Sequence, residues 1–230
     1  MTFAHKQFDP SATGPLNGIR VLDLSRLMAG NMLSLQLADF GADVIKIEPP
    51  EGDPLRDWKD DGHSLFWKTY GRNKRSVMLN LRRPEAMDAL WRLVDTADVF
   101  IENFRPGTLE KMGLAPETLL ARNPDLIVVR ISGFGQTGPY AHLPGFGTLV
   151  EAMSGFANLT GEADGRPQHM NYPLGDVIAG LFGAFSIAAA VANQRSHPDE
   201  PGREIDLSAT EAMLRMLEPL AVEYEQLGLV

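Results

Sequence analysis

Residues 19–48, IRVLDLSRLMAGNMLSLQLADFGADVIKIE, contain the pattern that decides the fold. Two short apolar runs, at residues 19–24 and 43–48, predict strands. Between them, residues 31–40 have apolar side chains at helical spacing, and Gly41 is a suitable stop. This order predicts two parallel strands joined by a right-handed crossover. The turn after the first strand lacks Gly-x-Gly-x-x-Gly, which argues against a standard dinucleotide site.

The same alternation continues along the chain. Further strands are predicted at residues 76–81, 98–102 and 126–132, and helices at residues 84–96, 108–112 and 116–122. Five strands alternating with helices predict an α/β fold, with an open, mostly parallel Rossmann-like sheet followed by long helices. Ligands of such sheets bind beyond the carboxyl ends of the strands. We expect three segments to meet there: residues 27–30, 103–107 and 133–138.

A second informative stretch is residues 171–193, NYPLGDVIAGLFGAFSIAAAVAN, whose one acidic residue is Asp176. Pro173 and Gly175 predict a break in regular structure, so Asp176 is expected at the N-cap of a helix. The apolar run beyond it is too short for a membrane span, which needs roughly 20 residues. We predict a buried helix whose Gly and Ala residues let another backbone approach closely. Asp176 is then a structural cap or a reactive carboxylate.

Composition limits the class of protein. With 230 residues and 44% hydrophobic content, the chain can form one large domain or two small ones. The absence of cysteine excludes disulfides and thiolate chemistry. A net charge of -9 without a basic run argues against nucleic acid or an anionic membrane as partner. Residues 1–15 lack the apolar core of a signal peptide, so we expect a loose leader and a cytoplasmic protein.

Two clusters before the third strand allow two interpretations each. Trp58, Phe66, Trp67 and Tyr70 could form a satellite core under a long loop or one wall of a ligand site. Residues 71–75 carry three cations, which could form an anion site or a solvated turn.

Six motifs, taken in order, resemble family III CoA-transferases, the family of formyl-CoA, carnitine and bile-acid transferases. They are LNGIRVLDLSRLMAG…LADFGADVIKIEPPEGD, NKRSVMLNLRRPE, DVFIENFRPGTLEKMGL, NPDLIVVRISGFGQTGP, PLGDVIAGLFGAF and GREIDLSATEAML. The resemblance covers residues 16–217. It implies a CoA-binding Rossmann-like domain over residues 16–230, in a homodimer whose two chains are interlocked like linked rings.

The resemblance also implies a site. The family's nucleophilic aspartate matches Asp176, and no metal is implied. Coenzyme A would be held by Met28, Ala29, Leu79, Asn80, Leu81, Arg82, Asn103, Phe104, Arg105, Lys111, Ile131, Ser132, Gly133, Phe134 and Gly135. Arg82, Arg105 and Lys111 would suit its phosphates. One basic position of some members is Pro49 here, so that phosphate contact is missing.

The implied reaction moves CoA from an acyl-CoA to a carboxylic acid through an aspartyl anhydride and an aspartyl-CoA thioester. Asp176 must be ionised for this, and we expect the start of a helix to favour that state. Related racemases have a His-Asp pair where this chain has Phe146-Gly147, and His142 lies four residues away. Transfer is therefore favoured over racemisation.

Family members continue beyond the position of Val230 with a small domain, a returning segment and a glycine-rich loop that covers the aspartate. We therefore expect these 230 residues alone to transfer CoA poorly, unless a complementing chain is present. The alternative is a non-catalytic subunit that binds CoA or serves in assembly. A nicotinamide oxidoreductase is a more distant third.

Overall fold

A computed structural model describes residues 13–228, and its centre is a sheet of six parallel strands in the order β3-β2-β1-β4-β5-β6. The strands are β1 (Arg20–Asp23), β2 (Asp43–Glu48), β3 (Lys74–Met78), β4 (Val99–Glu102), β5 (Ile127–Ser132) and β6 (Arg203–Ser208). The predicted α/β class and the parallel sheet are confirmed. Most of the predicted leader, residues 1–12, lies outside the described residues.

Helices connect the strands and complete the fold. They are α1 (Leu27–Asp39), α2 (Leu65–Tyr70), α3 (Pro84–Val94), α4 (Thr108–Lys111), α5 (Pro116–Arg122), α6 (Gly147–Met153), α7 (Phe156–Leu159), α8 (Leu174–Ser196), α9 (Ala209–Arg215) and α10 (Pro219–Leu227). One apolar core fills the space between the sheet and α1, α8 and α9, and a second lies between the sheet and α3, α4 and α5. The sheet is therefore covered on both faces, as parallel sheets require.

The sequence-based prediction missed β6 and placed β3 two residues late. Both are edge strands with several exposed side chains: the sequence of β3 is KRSVM and that of β6 is REIDLS. Charged residues are common on edge strands, so neither shows the continuous apolar run of a central parallel strand. The assignment of these segments as strands therefore depends on their pairing with β2 and β5, which only the tertiary structure shows.

The long helix α8 was predicted to be buried, but only one side of it is, and 44% of its apolar window is buried in the described part of the chain. By length and composition alone it could cross a membrane, but it packs against α1, α9 and α6. Gly180 allows a close approach to α1: a Cβ atom there would lie 2.9 Å from the carbonyl oxygen of Ala29. This contact brings the first turn of α1 against the second turn of α8.

Candidate active site

A cavity of about 730 Å³ lies beyond the carboxyl ends of the strands. β1 pairs with β2 on one side and with β4 on the other. The strands from β1 to β3 are therefore added toward one edge of the sheet, and those from β4 to β6 toward the other edge, so the strand order reverses between β1 and β4. Ligands of open α/β sheets bind at such a reversal. Part of the wall follows β1, β4 and β5, and it consists of Arg26–Ala29, Asn103–Pro106 and Ile131–Gly133. Most of the remainder comes from the segments before and within α6 and before α8, and it is completed by Trp58, Phe66, Asp176 and Ala209.

The segments after β1 and β4 are fastened to each other. The side chain of Asn103 accepts a hydrogen bond from the backbone N–H of Arg26 at 2.8 Å and donates one to its carbonyl oxygen at 2.7 Å. The guanidinium group of Arg26 lies over the ring of Phe104, 5.5 Å from its centroid. This arrangement presents Arg26 and Phe104 at the cavity wall as a pair, which suits a planar or anionic ligand group.

A network of buried charges supports the start of α1 beneath this wall. Lys46 is 1% exposed and contacts the carboxylates of Asp23 at 3.3 Å and Asp53 at 3.1 Å. Asp53 also accepts a hydrogen bond at 3.1 Å from the backbone N–H of Leu27, a non-glycine residue with φ +60°. Left-handed backbone at such a residue is strained, so the network holds Leu27 in a conformation that the local sequence does not favour.

The buried charges of this network are compensated by opposite charges and hydrogen bonds. Burial alone raises the pKa of Asp23, but Lys46, Lys74 and the hydroxyl groups of Ser25 and Ser34 together bring it below its ordinary value. Burial also lowers the pKa of Lys74 to about 8, against the attraction of Asp23. Each carboxylate of the network therefore has cations and hydrogen-bond donors against it.

Asp176 lines the opposite side of the same cavity, and its position differs from the predicted N-cap. The helix α8 begins at Leu174, and Pro173 occupies the N-cap position without a side-chain hydrogen bond. Asp176 is therefore in the first helical turn, where its carboxylate packs against Gly147. A Cβ atom at Gly147 would lie 2.5 Å from Oδ2 of Asp176, so glycine leaves the space that the carboxylate occupies here.

The expectation that the helix start keeps the pKa of Asp176 low is wrong. Burial, followed by repulsion from Glu151, raises the pKa of Asp176 to about 6, and a hydrogen bond from the backbone N–H of Gly147 offsets only part of this. The desolvation penalty is larger than the effect of the helix amides. Roughly nine-tenths of Asp176 is still ionised at pH 7 by this value, in an unusually basic form.

Glu151, which sequence reasoning missed, lies beside Asp176 on α6 and is 1% exposed. Its carboxylate accepts hydrogen bonds from the backbone N–H groups of Gly175 at 3.2 Å and Met170 at 3.3 Å. Glu151 thus satisfies an amide at the start of α8, the capping role predicted for Asp176. An isolated acidic residue among the apolar residues of a helical pattern was the available signal.

The cavity collects only part of the predicted CoA-binding set. Met28, Ala29, Asn103, Phe104, Arg105, Ile131, Ser132 and Gly133 line it with Asp176. The remaining positions do not: Leu79, Asn80, Leu81, Arg82, Lys111, Phe134 and Gly135. Leu79 and Leu81 pack partly against the second core, and Arg82 and Lys111 are exposed. Assignment of these residues to CoA remains a prediction.

The aromatic cluster of residues 58–70 was predicted to be either a satellite core or one wall of a ligand site, and different residues of it do each. Tyr70 is buried in a small core with Met28 and Leu55, whereas Trp58 and Phe66 line the cavity. The hydroxyl group of Tyr70 is 2.8 Å from that of Tyr172, another cavity residue.

The cations of residues 71–75 are paired with carboxylates. Arg72 contacts Asp39, Arg75 contacts Asp43, and Lys74 lies near Asp23. None of them lines the cavity, so the structure gives no support to an anion site there.

Comparison with known proteins identifies the family. The model of CoA-transferase family III matches residues 16–229. The chain therefore belongs to CoA-transferase family III, as its motifs indicated.

Individual relatives agree with this. Over 93% of this chain, succinyl-CoA–D-citramalate CoA-transferase of Chloroflexus aurantiacus is 44% identical, and the match covers 54% of that protein. The alpha subunit of succinyl-CoA–L-malate CoA-transferase from the same species is 42% identical over 93% of this chain and 51% of its own length. A CAIB/BAIF family protein from Brucella suis superposes with a TM-score of 0.89 at 37% identity, covering 95% of this chain and 59% of that structure. The chain thus spans about half the length of the curated relatives it matches.

Proposed function

We propose that this chain provides the CoA-binding and nucleophilic part of an acyl-CoA:carboxylate CoA-transferase. The observation that carries the proposal is Asp176, a partly buried carboxylate with a pKa raised to about 6, at the wall of the cavity beyond the strand ends. A carboxylate that is desolvated but still ionised at neutral pH is a suitable nucleophile toward a thioester carbonyl. The relatives supply the substrate class, because their names specify CoA transfer from succinyl-CoA to an acid.

The proposed reaction conserves the thioester bond through two kinds of covalent intermediate. An oxygen of Asp176 attacks the acyl carbonyl, the C–S bond breaks, and CoA leaves as a thiolate, which gives a mixed acyl-aspartyl anhydride. The thiolate then attacks the aspartyl carbonyl and releases the first acid, leaving an aspartyl-CoA thioester. The acceptor carboxylate repeats these two steps in the opposite sense, which forms the new acyl-CoA and restores Asp176.

The remaining groups of the cavity suit this role. Arg26 and Arg105 line it and can attract the phosphates of CoA or the second carboxylate of a dicarboxylic acid. Succinate, citramalate and malate are all dicarboxylic acids, so we propose succinyl-CoA as donor and a short dicarboxylic acid as acceptor. We also propose a cytoplasmic location, where CoA thioesters are available.

Racemisation is a weaker candidate for a steric reason. The related racemases carry an aspartate at the position of Gly147, next to a histidine at the position of Phe146. A side chain at position 147 would collide with the carboxylate of Asp176 as it stands here. An aspartate at position 147 would therefore require the carboxylate of Asp176 to move from its place at the cavity.

Covalent trapping tests the proposal directly. The chain is incubated with succinyl-CoA and then with hydroxylamine or borohydride, and the peptide that contains Asp176 is analysed by mass spectrometry. We expect modification at Asp176, and its loss by at least about 10³-fold in Asp176→Ala. The matched control is Asp164→Ala, which changes an exposed aspartate and should label normally.

The same experiment separates the alternatives. CoA binding by calorimetry without modification of Asp176 would support a non-catalytic CoA-binding or assembly subunit. That candidate has support from relatives named as alpha and beta subunits. Incorporation of deuterium at the α-carbon of an acyl-CoA in D₂O, without anhydride trapping, would support a racemase instead.

We propose that the working protein contains two chains, as the family resemblance implies. Large apolar side chains are exposed on α8 and α10, including Phe185 at 74% and Tyr224 at 64%. Exposure of this size on large apolar side chains is typical of a surface that another segment covers. Light scattering should give a mass of two chains, and a monomer at micromolar concentration would contradict the proposal.

A further inference from the structure

We propose that Glu151 is the positioning residue for Asp176: its buried carboxylate fixes the turn ahead of α8 and places a negative charge against the nucleophile. The inference rests on the proposed role of Asp176 and adds a second acidic residue to the same site.

The hydrogen bonds of Glu151 hold the turn at both ends. One oxygen accepts from the backbone N–H of Met170, where the turn begins, and the other from Gly175, in the first turn of α8. Between these two points lies Tyr172, which lines the cavity and contacts Tyr70. Because ionised carboxylates only accept hydrogen bonds, two N–H donors are the partners that an ionised Glu151 requires.

Glu151 and Gly147 also share one face of α6. They are four residues apart, so both are directed toward the first turn of α8. Gly147 donates its N–H to Asp176 and leaves room for the carboxylate, while Glu151 supplies the neighbouring charge. One face of a short helix therefore provides an attractive and a repulsive contact to the same carboxylate.

The charge of Glu151 has no cationic partner within residues 13–228. None of the ion pairs in this part of the chain includes it. The other charged or titratable residues that line the cavity are Arg26, Arg105, His169 and Tyr172, and none of them contributes to the pKa shift of Asp176. A buried carboxylate without a cation is energetically unfavourable, which indicates a role other than stability.

The chemical consequence is activation of the nucleophile. Repulsion from Glu151 raises the energy of ionised Asp176, which makes its carboxylate more basic. When Asp176 forms the anhydride, its negative charge leaves on the departing thiolate, so the repulsion is relieved in the covalent intermediate. Glu151 thereby favours attack on the thioester without touching the substrate.

The substitution Glu151→Gln tests this role, because it keeps the shape and one acceptor oxygen while it removes the charge. The protein is labelled with ¹³C at aspartate carboxyl groups, and the signal of Asp176 is assigned with Asp176→Asn and titrated by NMR. We expect the titration midpoint of Asp176 to fall by about one pH unit in Glu151→Gln. The control Glu162→Gln alters an exposed glutamate of the polar turn and should leave the midpoint unchanged.

A kinetic readout accompanies the titration. We expect the rate of trapping at saturating succinyl-CoA to fall about tenfold in Glu151→Gln, with CoA affinity preserved. A midpoint equal to that of the wild type would overturn the proposal, as would an unchanged trapping rate in a protein that labels. If Asp176 is never labelled but the midpoint shifts, the proposed transfer fails while Glu151 keeps its effect on Asp176. Glu151→Ala, which also loses both hydrogen bonds, should in addition disturb the NMR signals of the turn.

Discussion

Two buried acidic clusters lie at the same edge of the sheet, and they differ in their partners. Asp23 and Asp53, below α1, are in contact with Lys46, and hydroxyl and amide groups complete their hydrogen bonds. Asp176 and Glu151, between α6 and α8, face each other without a cation in the described part of the chain. Burial raises the pKa of a carboxylate in each cluster, although Asp176 is only partly buried at the cavity wall.

The outcome is opposite in the two clusters. The pKa of Asp23 ends below its ordinary value because lysines and hydroxyl groups outweigh burial. The pKa of Asp176 rises to about 6 because Glu151 adds to burial and one backbone amide cannot compensate. The first cluster holds a strained loop in place, whereas the second keeps a carboxylate reactive. Proteins tolerate such unfavourable pairs mainly where chemistry needs them.

Removing the cation of the cluster that contains Asp23 and Asp53 should have the largest effect on the free energy of unfolding. Lys46→Met removes the cation between Asp23 and Asp53 and leaves two buried carboxylates. We expect the free energy of unfolding to fall by about 3–5 kcal/mol in urea denaturation at neutral pH. The matched control is Lys68→Met at an exposed position, which should change it by less than about 0.5 kcal/mol. A similarly small effect at Lys46 would mean that the network contributes nothing to stability.

Removing the charge of Asp176 should change the free energy of unfolding in the opposite direction from Lys46→Met, and by a smaller amount. Because its folded pKa of about 6 exceeds the ordinary value of 3.8, the ionised form disfavours folding. The penalty is complete above pH 6, shrinks as pH falls from 6 to 4, and is absent below that range. We therefore expect Asp176→Asn to raise the free energy of unfolding by about 2 kcal/mol at pH 8 and by almost nothing at pH 3.5.

This measurement also distinguishes the two interpretations of Asp176. A structural aspartate in the first turn of a helix would make Asp176→Asn destabilising by about 0.3–1 kcal/mol at pH 8. Asp164→Asn, in the exposed turn before α8, is the control and should be neutral at both pH values. A loss of stability in Asp176→Asn would therefore support a structural role for Asp176 at the helix start. It would contradict the conclusion that ionised Asp176 disfavours folding.

Much of the fold could be predicted from local patterns. The central strands β1, β2, β4 and β5 are apolar runs between turn signals, and the predicted and observed bounds of all four agree within one residue. The helix α1 begins at Leu27, earlier than its apolar spacing indicated. The reason is Asp53, a distant residue in sequence that accepts the backbone N–H of Leu27. Local sequence cannot show such a contact.

The site residues likewise fall into those that local sequence could predict and those that only the tertiary structure shows. Asp176 stood out because it is the one acidic residue in a long apolar stretch, and the motifs of the family match it to a nucleophile. Glu151 gave a weaker signal, because only the packing of α6 on α8 brings it to Asp176. Arg82 and Lys111 were predicted beside the phosphates, but both are exposed away from the cavity.

The amino-acid sequence by itself determined the parallel α/β order, the apolar α8 and the placement of Asp176 near its start. Those properties depend on periodicity and turn residues, which act over a few positions. The tertiary structure alone decided the pKa values of the carboxylates, because pKa depends on burial and on neighbours that are distant in sequence. Asp23 and Asp176 are the same residue type, and only the fold gave one of them lysines and the other a glutamate.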